Sequence, residues 1–329
     1  MRHIKLSIYL KIRVFMKIFA SVLIPAYNEE RDIKKCLDSI KHQDYRSDQF
    51  EVIVIDNGSS DATKQIAVDA GVQVVDAKSM LIGGVRNEGA RLSKGDVLAY
   101  LDADCVAPPD WLSNGVSLLI GSDSVGAVGG RCSVADNATW IQRAWGWKNP
   151  ESTEKQVDIL STASFFLKKS IFNEVGGFNE TLTAGEDTEI SMKIIKSGRI
   201  LILSPSVDVI HLGYPSSMSS FFRRQIWQST DYLRTIKNKK DLVFLLVHFF
   251  LASFFIGLVS LFFSAGIYIF SFFIGFTVFS AISLASYRHI KMKRGKNFSL
   301  LFQSFFLNYL YLLGRSVGLI KSYLRTIFR

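Results

Sequence analysis

The sequence is poor in cysteine, with only three among 329 residues: Cys36, Cys105 and Cys132. They are scattered along the chain, in neither a disulfide framework nor the spacing of a cysteine-based metal site. The chain is therefore not a disulfide-stapled secreted domain. So little cysteine fits a reducing compartment.

Acidic residues are absent from both ends of the chain. Residues 1–17 carry five Lys or Arg and no acid, and residues 242–329 carry nine and again none. Subtracting these 14 from 39 basic residues leaves 25 against 29 acidic ones in the middle, so the formal net charge of +10 belongs to the ends. Basic ends of this kind predict attraction to anionic lipid headgroups rather than to nucleic acid.

Residues from Leu242 to about Tyr287 are almost entirely apolar, roughly twice the ~20 residues that one membrane-spanning helix needs. We therefore expect a transmembrane hairpin over 241–287, with its turn near Ser264 to Gly266. Lysines before the hairpin and "RHIKMKRGK" after it predict that both ends lie on the cytoplasmic side. The alternative is a buried helical hairpin in a soluble protein, in which so long an acid-free stretch is rare.

The flanking segments are basic. In the C-terminal segment 288–329, polar or small residues recur on one helical face, which predicts an amphipathic helix in the headgroup plane; a third span over 300–320 is the alternative. These residues are Ser304, Asn308, Arg315, Gly318, Ser322, Arg325 and Arg329. The N-terminal segment 1–18 lacks a small-residue cleavage site, so we do not expect a signal peptide; the start at Met1 or Met16 stays open.

Residues 19–130 alternate between strand and helix patterns. Apolar runs such as "FASVLIP", "FEVIVID" and "DVLAYL" are separated by helical patterns such as "DIKKCLDSI" and "GGVRNEGARL". The alternation predicts an α/β domain with a parallel sheet and right-handed crossovers. Ligands bind such sheets at the carboxyl ends of the strands.

Polar residues cluster at those strand ends. Asp102 and Asp104, in "YLDADCVAPPDW", follow one buried strand, and Tyr27 to Glu29 and Asp56 to Asp61 follow two others. Two carboxylates flanking a small residue can hold a hard divalent cation, for which oxygen ligands suit Mg or Mn. Capping or turn formation is the commoner use of Asp before Pro.

Four ordered motifs resemble glycosyltransferase family 2, of a membrane-anchored bacterial or archaeal type. They are "SVLIPAYNEERDIKKCLDSI", "EVIVIDNGSSDAT", "RNEGARLSKGDVLAYLDADC" and "GEDTEISMKIIKSG". The resemblance covers about 20–235 and implies a GT-A fold, a Rossmann-like, mostly parallel sheet with helices on both faces. We expect this domain over 19–240, with a nucleotide-sugar half at 19–130 and an acceptor half at 131–240. A dinucleotide-binding enzyme is disfavoured, since no G-x-G-x-x-G follows the first strand.

The resemblance implies a nucleotide-sugar site and a divalent metal, Mn or Mg. The nucleotide-sugar residues would be Pro25, Ala26, Tyr27, Glu29, Asp56, Arg86 and Asp102. Asp104 would lie on the metal, and His211 is a candidate further ligand. A turn former at Asp56, a surface helix charge at Arg86 and a structural His211 are the competing interpretations.

By the same resemblance, Asp187 is the catalytic base and Glu186 orients the site or its acceptor side. Either acid could instead cap the helix that follows. "FFRRQIWQS" departs from the Q-x-x-R-W signature of processive synthases because no Arg separates Gln225 from Trp227. One membrane hairpin is also too little for a polymer tunnel, so we expect transfer of a single sugar.

The sequence therefore predicts an inverting, metal-dependent glycosyltransferase of the hexosyltransferase type. It would move one sugar from a nucleotide-diphosphate sugar to a lipid-linked or glycan acceptor, in cell-surface glycan or polysaccharide synthesis. We expect a multi-pass protein of the cell membrane with its catalytic domain on the cytoplasmic face, in contact with membrane lipids and not with nucleic acid. A catalytically silent GT-A module acting as a membrane-bound binding subunit is the alternative, which the acids at 56, 102, 104 and 187 oppose. A transporter is disfavoured, since the membrane stretch lacks the ionisable residues of a pathway.

Overall fold

The computed structural model describes residues 18–146, 153–235, 242–263, 266–291 and 298–328. The basic N-terminal segment lies outside these residues apart from Ile18, and so does part of the turn expected near Ser264 to Gly266. The chain forms two compact units. The first takes in the chain up to Ala135 with Pro150–Leu182 and Glu186–Gly213, and the second takes in Asp136–Asn149, Thr183–Gly185 and Tyr214–Arg329.

From Ala20 to Leu101 strands and helices alternate, as the sequence patterns predict. The strands are β1 Ala20–Ala26, β2 Phe50–Asp56, β3 Gln73–Asp76, β4 Val97–Leu101, β5 Cys105–Val106, β6 Val125–Gly129, β7 Cys132–Val134, β8 Lys155–Val157, β9 Ser164–Lys168, β10 Ile200–Leu203 and β11 Val209–His211. The α-helices are α1 Ile33–Lys41, α2 Thr63–Asp69, α3 Ile82–Leu92, α4 Trp111–Ile120, α5 Trp140–Trp145, α6 Lys169–Glu174, α7 Glu186–Lys196, α8 Met218–Gln228, α9 Tyr232–Thr235, α10 Leu242–Ser260, α11 Gly266–Lys291 and α12 Phe298–Ile327.

The first unit is built on an eight-stranded sheet in the order β3-β2-β1-β4-β9-β6-β10-β8. The strands β3, β2, β1 and β4 pair in parallel, as the alternating pattern predicts. The strand β9 is antiparallel to both neighbours, β4 and β6, and β8 is antiparallel to β10. The predicted α/β fold is confirmed, and its sheet is mixed rather than purely parallel.

Helices cover both faces of this sheet. Successive residues of β1 alternate between two hydrophobic cores, since Val22 and Ile24 belong to one and Leu23 to the other. A strand buried on both faces must be apolar at every position, which explains the continuous run "SVLIPA". A smaller sheet in the order β5-β11-β7 brings His211 opposite Cys105.

The second unit contains the expected helical hairpin. Among the described residues, two helices are long and apolar enough to cross a membrane, α10 with 19 residues and α11 with 26. They pack against each other, with Phe249 and Phe276 in edge-to-face contact at 5.8 Å between ring centroids. The hairpin is thus a pair of packed helices of spanning length.

The polar stripe of the last helix does not face outward. The expectation that it contacts the headgroup plane is wrong for three of its members, which are buried within the second unit: Ser304, Asn308 and Ser322. Two glycines on this face, Gly314 and Gly318, lie against Gln225 and Ser229 of the α8 region, where a β-carbon would collide. Small and polar residues therefore let α12 approach its neighbours closely, and apolar residues such as Phe302 are left on the outside.

Candidate active site

The predicted site residues meet at one edge of the large sheet. Ala26 pairs with Asp56 at the ends of β1 and β2, and β4 runs parallel beside β1 and ends one residue before Asp102. Because the carboxyl ends of parallel strands share an edge, these residues border one crevice. Pro25 and Ala26 are buried in β1, whereas Tyr27 just beyond them is 59% exposed.

Asp56 is both a turn former and a buried acceptor. Its Oδ2 accepts hydrogen bonds from the backbone N–H groups of Gly58 and Ser59, each at 3.1 Å. Its Oδ1 is buried and has no hydrogen-bond partner among the described residues. A buried carboxylate oxygen without a donor is costly, so this atom is suited to accept an N–H from a bound base.

The loops after β1 and β2 are tied together. The backbone N–H of Glu29 donates to Thr63 Oγ1 at 2.7 Å, and Asn28 Oδ1 accepts from the backbone N–H of Ser60 at 2.8 Å. Asn28 has a positive φ of 56°, which turns the chain back toward β2. Ser60 lies in the predicted polar run from Asp56 to Asp61, whereas Thr63 was not predicted; the turn-rich run "DNGSSDAT" was the available signal.

Arg86 is not the surface helix charge that one interpretation allowed. It is 4% exposed, and its Nη1 donates to Glu186 Oε1 at 2.6 Å while its Nη2 donates to Asp102 Oδ1 at 3.1 Å. One guanidinium thus joins the carboxylate at the end of β4 to the carboxylate at the start of α7. Charge-assisted pairs of this kind fix the relative positions of their partners.

Asp187 lies at the start of α7, directly after Glu186. Its Oδ1 accepts hydrogen bonds from the Thr188 N–H at 2.6 Å and the Thr188 hydroxyl at 3.3 Å. Burial, reinforced by repulsion from Glu186, raises the pKa of Asp187 to about 6. A carboxylate with this pKa is basic enough to accept a proton and still mostly ionised at neutral pH.

Asp104 and His211 meet where β5 pairs with β11. Their Oδ2 and Nε2 atoms are 3.5 Å apart, and one ligand atom from each of Asp104, Cys105 and His211 lies within 4.8 Å of the others. Gly213 leaves room for the Asp104 carboxylate, which a β-carbon there would strike. The geometry fits a divalent cation.

Cys105 is the least suited of these three groups. Hydrogen bonding with Cys132 and burial raise the pKa of the Cys105 thiol well above its usual range, which opposes formation of the thiolate. A thiol binds metal as the thiolate. Asp104 and His211 are therefore the better ligand pair, with the oxygen and imidazole chemistry that Mn accepts.

Glu29 faces the same cluster of acids. Burial is the main cause that raises its pKa to about 8, followed by the charges of Asp104, Asp32, Asp102 and Asp61. Carboxylates crowded in this way repel one another. A cation at Asp104 would relieve that repulsion.

A buried acid that sequence reasoning missed holds the segment ahead of Glu186. Within the second unit, Asp231 Oδ2 accepts the Thr183 N–H at 2.7 Å, and Arg325 Nη1 donates to Thr183 Oγ1 at 2.9 Å. Gly185 follows with a φ of +89°, and Thr235 fills the space beside its α-carbon. Only a glycine suits that position.

Comparison with known proteins identifies the family. The family model "Glycosyl transferase family 2" matches residues 21–178. Glycosyltransferase AglE of Haloferax volcanii is 32% identical over 208 residues, which are 60% of this chain and 68% of that protein. The chain belongs to glycosyltransferase family 2.

Two further proteins are similar to this member of the family. The beta-monoglucosyldiacylglycerol synthase of Trichormus variabilis is 26% identical over 66% of this chain. This chain spans about half of that protein, since the match covers 49% of its length. The solved structure of mannosyltransferase PcManGT from Pyrobaculum calidifontis, in complex with GDP-Man and Mn2+, has a TM-score of 0.58 at 20% identity. The similarity covers 96% of this chain and 94% of the mannosyltransferase chain, and it shows that the two share a fold.

Proposed function

We propose that this chain is a membrane-anchored, inverting glycosyltransferase that moves a single sugar from a nucleoside-diphosphate sugar to a lipid-linked acceptor. The observation that carries the proposal is the guanidinium of Arg86, bonded at once to Asp102 and to Glu186. It holds Asp102, at the end of β4, close to Glu186, the residue that precedes Asp187. A base and a donor site need this proximity for direct displacement.

The donor fits the edge of the sheet. Asp56 Oδ1 would accept a hydrogen bond from the base, and the exposed ring of Tyr27 would lie against it. Asp102 would contact the ribose, while Arg86 acts by positioning Asp102 and Glu186 rather than by reaching the phosphates.

Asp104 and His211 would hold the divalent metal, as Mn2+ accompanies GDP-Man in the Pyrobaculum structure. Bound there, a divalent ion would supply charge neutralisation for the diphosphate leaving group. The neighbouring carboxylate of Asp102 would otherwise repel the anionic donor.

Asp187 would act as the general base. Its carboxylate takes the proton from the acceptor hydroxyl while that oxygen forms a bond to the anomeric carbon. The bond from that carbon to the diphosphate breaks, and its electron pair leaves with the diphosphate. One displacement on the face opposite the leaving group inverts the anomeric configuration.

A lipid-linked acceptor is supported by the apolar helices α10 and α11 and by the basic residues that flank them. The name of the Trichormus relative also denotes a lipid product. Basic flanks at both ends of the hairpin favour a multi-pass arrangement with the catalytic unit on the cytoplasmic side.

The proposal is tested by incubating the full-length protein in membranes with a panel of labelled nucleotide sugars and Mn. We expect one donor to be hydrolysed slowly and its sugar to appear in the organic-extractable lipid fraction. Binding of nucleotide sugars without hydrolysis or transfer of any of them would instead support the catalytically silent module.

A further inference from the structure

Two arginines of the second unit stack on one tyrosine. The Arg288 Cζ lies 4.2 Å from the ring centroid of Tyr311 and 4.5 Å from that of Trp145. The Arg315 Cζ lies 5.1 Å from the same Tyr311 ring and 5.7 Å from that of Tyr232. Both guanidinium groups thus make cation–π contacts with the same Tyr311 ring.

Among the residues that the structure describes, both guanidinium groups have neutral hydrogen-bond partners. Arg288 Nη1 donates to Asn308 Oδ1 at 2.8 Å, and Arg315 donates to the carbonyl oxygen and Oε1 of Gln228 at 3.3 and 3.2 Å. The Nε of Arg315 is buried and has no hydrogen-bond partner among the described residues. By contrast Arg86, the buried arginine of the first unit, has two carboxylate partners.

The surrounding sequence offers almost no acid to balance them. The ranges of the second unit contain 17 Lys and Arg but only three acids, Asp136, Asp231 and Asp241, an excess of 14 positive charges. Of these acids, Asp136 is exposed and Asp231 is engaged with Arg234 and Arg325. Two like charges in a partly buried cluster repel each other, so an anion bound beside them would be stabilised.

The cluster lies at the height of lipid headgroups if α11 spans the membrane. Arg288 is in the last turn of this 26-residue helix, which is longer than the roughly 20 residues that a span needs. The basic run "KMKRGK" begins at Lys291. The abundant anion at this level is the phosphate of a lipid, and the planar guanidinium is suited to bind phosphate through two parallel hydrogen bonds.

We propose that Arg288 and Arg315, held by Trp145 and Tyr311, form a binding site for the phosphate of a membrane lipid. The site stands on the arrangement of the two arginines; its assignment to the acceptor's phosphate, rather than to a bulk phospholipid, rests on the proposed function. Cations that merely reach toward headgroups would instead lie exposed on the surface, as Lys321 does.

The test uses the full-length protein in nanodiscs of a neutral phosphatidylcholine. Phosphatidic acid is the probe, diacylglycerol is the same lipid without its phosphate, and bound lipid is counted by native mass spectrometry in the absence of donor. We expect phosphatidic acid to bind and diacylglycerol not to, and Arg315→Gln or Arg288→Gln to weaken binding by about tenfold or more, since each removes a charged donor pair. Arg315→Lys keeps the positive charge but not the planar guanidinium with its parallel donors. It should therefore bind phosphatidic acid more tightly than Arg315→Gln but more weakly than the unchanged protein, and it controls for misfolding.

Lys321→Gln is the matched control, because it removes one positive charge from an exposed position of the same helix. Equal weakening by Lys321→Gln and Arg315→Gln would mean diffuse surface attraction and overturn the site. Unchanged binding of phosphatidic acid in both arginine variants would also overturn the site. The same holds if inorganic phosphate competes for the site as well as phosphatidic acid does.

A kinetic arm distinguishes the two sources of the phosphate. If the site holds the acceptor, Arg315→Gln raises the KM for the lipid acceptor and leaves the KM for the nucleotide sugar unchanged. If it holds a bulk phospholipid, both KM values stay unchanged while phosphatidic acid binding still falls. Failure of all transfer leaves the binding result intact and counts against the proposed function alone.

Discussion

Arg86 donates a hydrogen bond of 2.6 Å to Glu186, although the two residues lie 100 positions apart in the chain. The pair is buried, with 4% of the arginine side chain and 9% of the glutamate side chain exposed. It joins α3 to the first residue of α7. The position of Asp187 therefore depends on an ion pair formed far from it in sequence.

Arg86→Gln should destabilise the fold by about 3–5 kcal/mol, because it leaves the buried carboxylate of Glu186 without a cation. Thermal or urea unfolding of the protein in detergent measures the loss. Arg91→Gln is the control, since Arg91 is on the same helix, is exposed and pairs with Glu88; it should leave stability almost unchanged. Equal small effects of both substitutions would contradict a structural role for the buried pair.

The rate of transfer should depend on pH through Asp187. Because its pKa is raised to about 6, the base is ionised above that value and protonated below it. A protonated carboxyl cannot accept the acceptor's proton, so kcat should fall on acidification through pH 6 by roughly tenfold for each further unit. A rate that stays level well below pH 6 would show that another group is the base.

Asp104→Asn should weaken metal-dependent donor binding while leaving the fold intact, because an amide is a poorer ligand for a hard cation than a carboxylate. Isothermal titration of the nucleotide diphosphate with and without Mn measures this dependence. The matched control is Asp123→Asn, which alters an exposed acid paired with Lys168. Full transfer activity in excess chelator would contradict the metal site.

The protein should remain in the membrane fraction after a high-salt wash. Salt screens headgroup attraction but not the burial of apolar helices such as α10 and α11. Detergent should release it. Release by salt alone would mean that the basic residues, rather than the hairpin, hold the protein at the bilayer.

Local patterns were enough to predict the strands β1, β2 and β4 and the acids at their ends, since continuous apolar runs specify strands buried on both faces. The position of β9 between β4 and β6 was not predictable, because its pairing partners lie far away in sequence. The same holds for the small sheet that brings His211 to Asp104, and for the partners of Arg86. The polar face of α12 was misassigned because a period of seven indicates a stripe and not what the stripe contacts.

We propose Asp187 as the base of a sugar transfer to lipid. Its most direct test compares the full-length protein with Asp187→Asn for transfer of label from the nucleotide sugar to the lipid fraction, with donor affinity measured alongside. We predict that turnover falls by roughly 100-fold or more while donor affinity barely changes, because the amide keeps the shape but cannot take a proton. An equal loss of donor affinity, or undiminished transfer, would contradict this role.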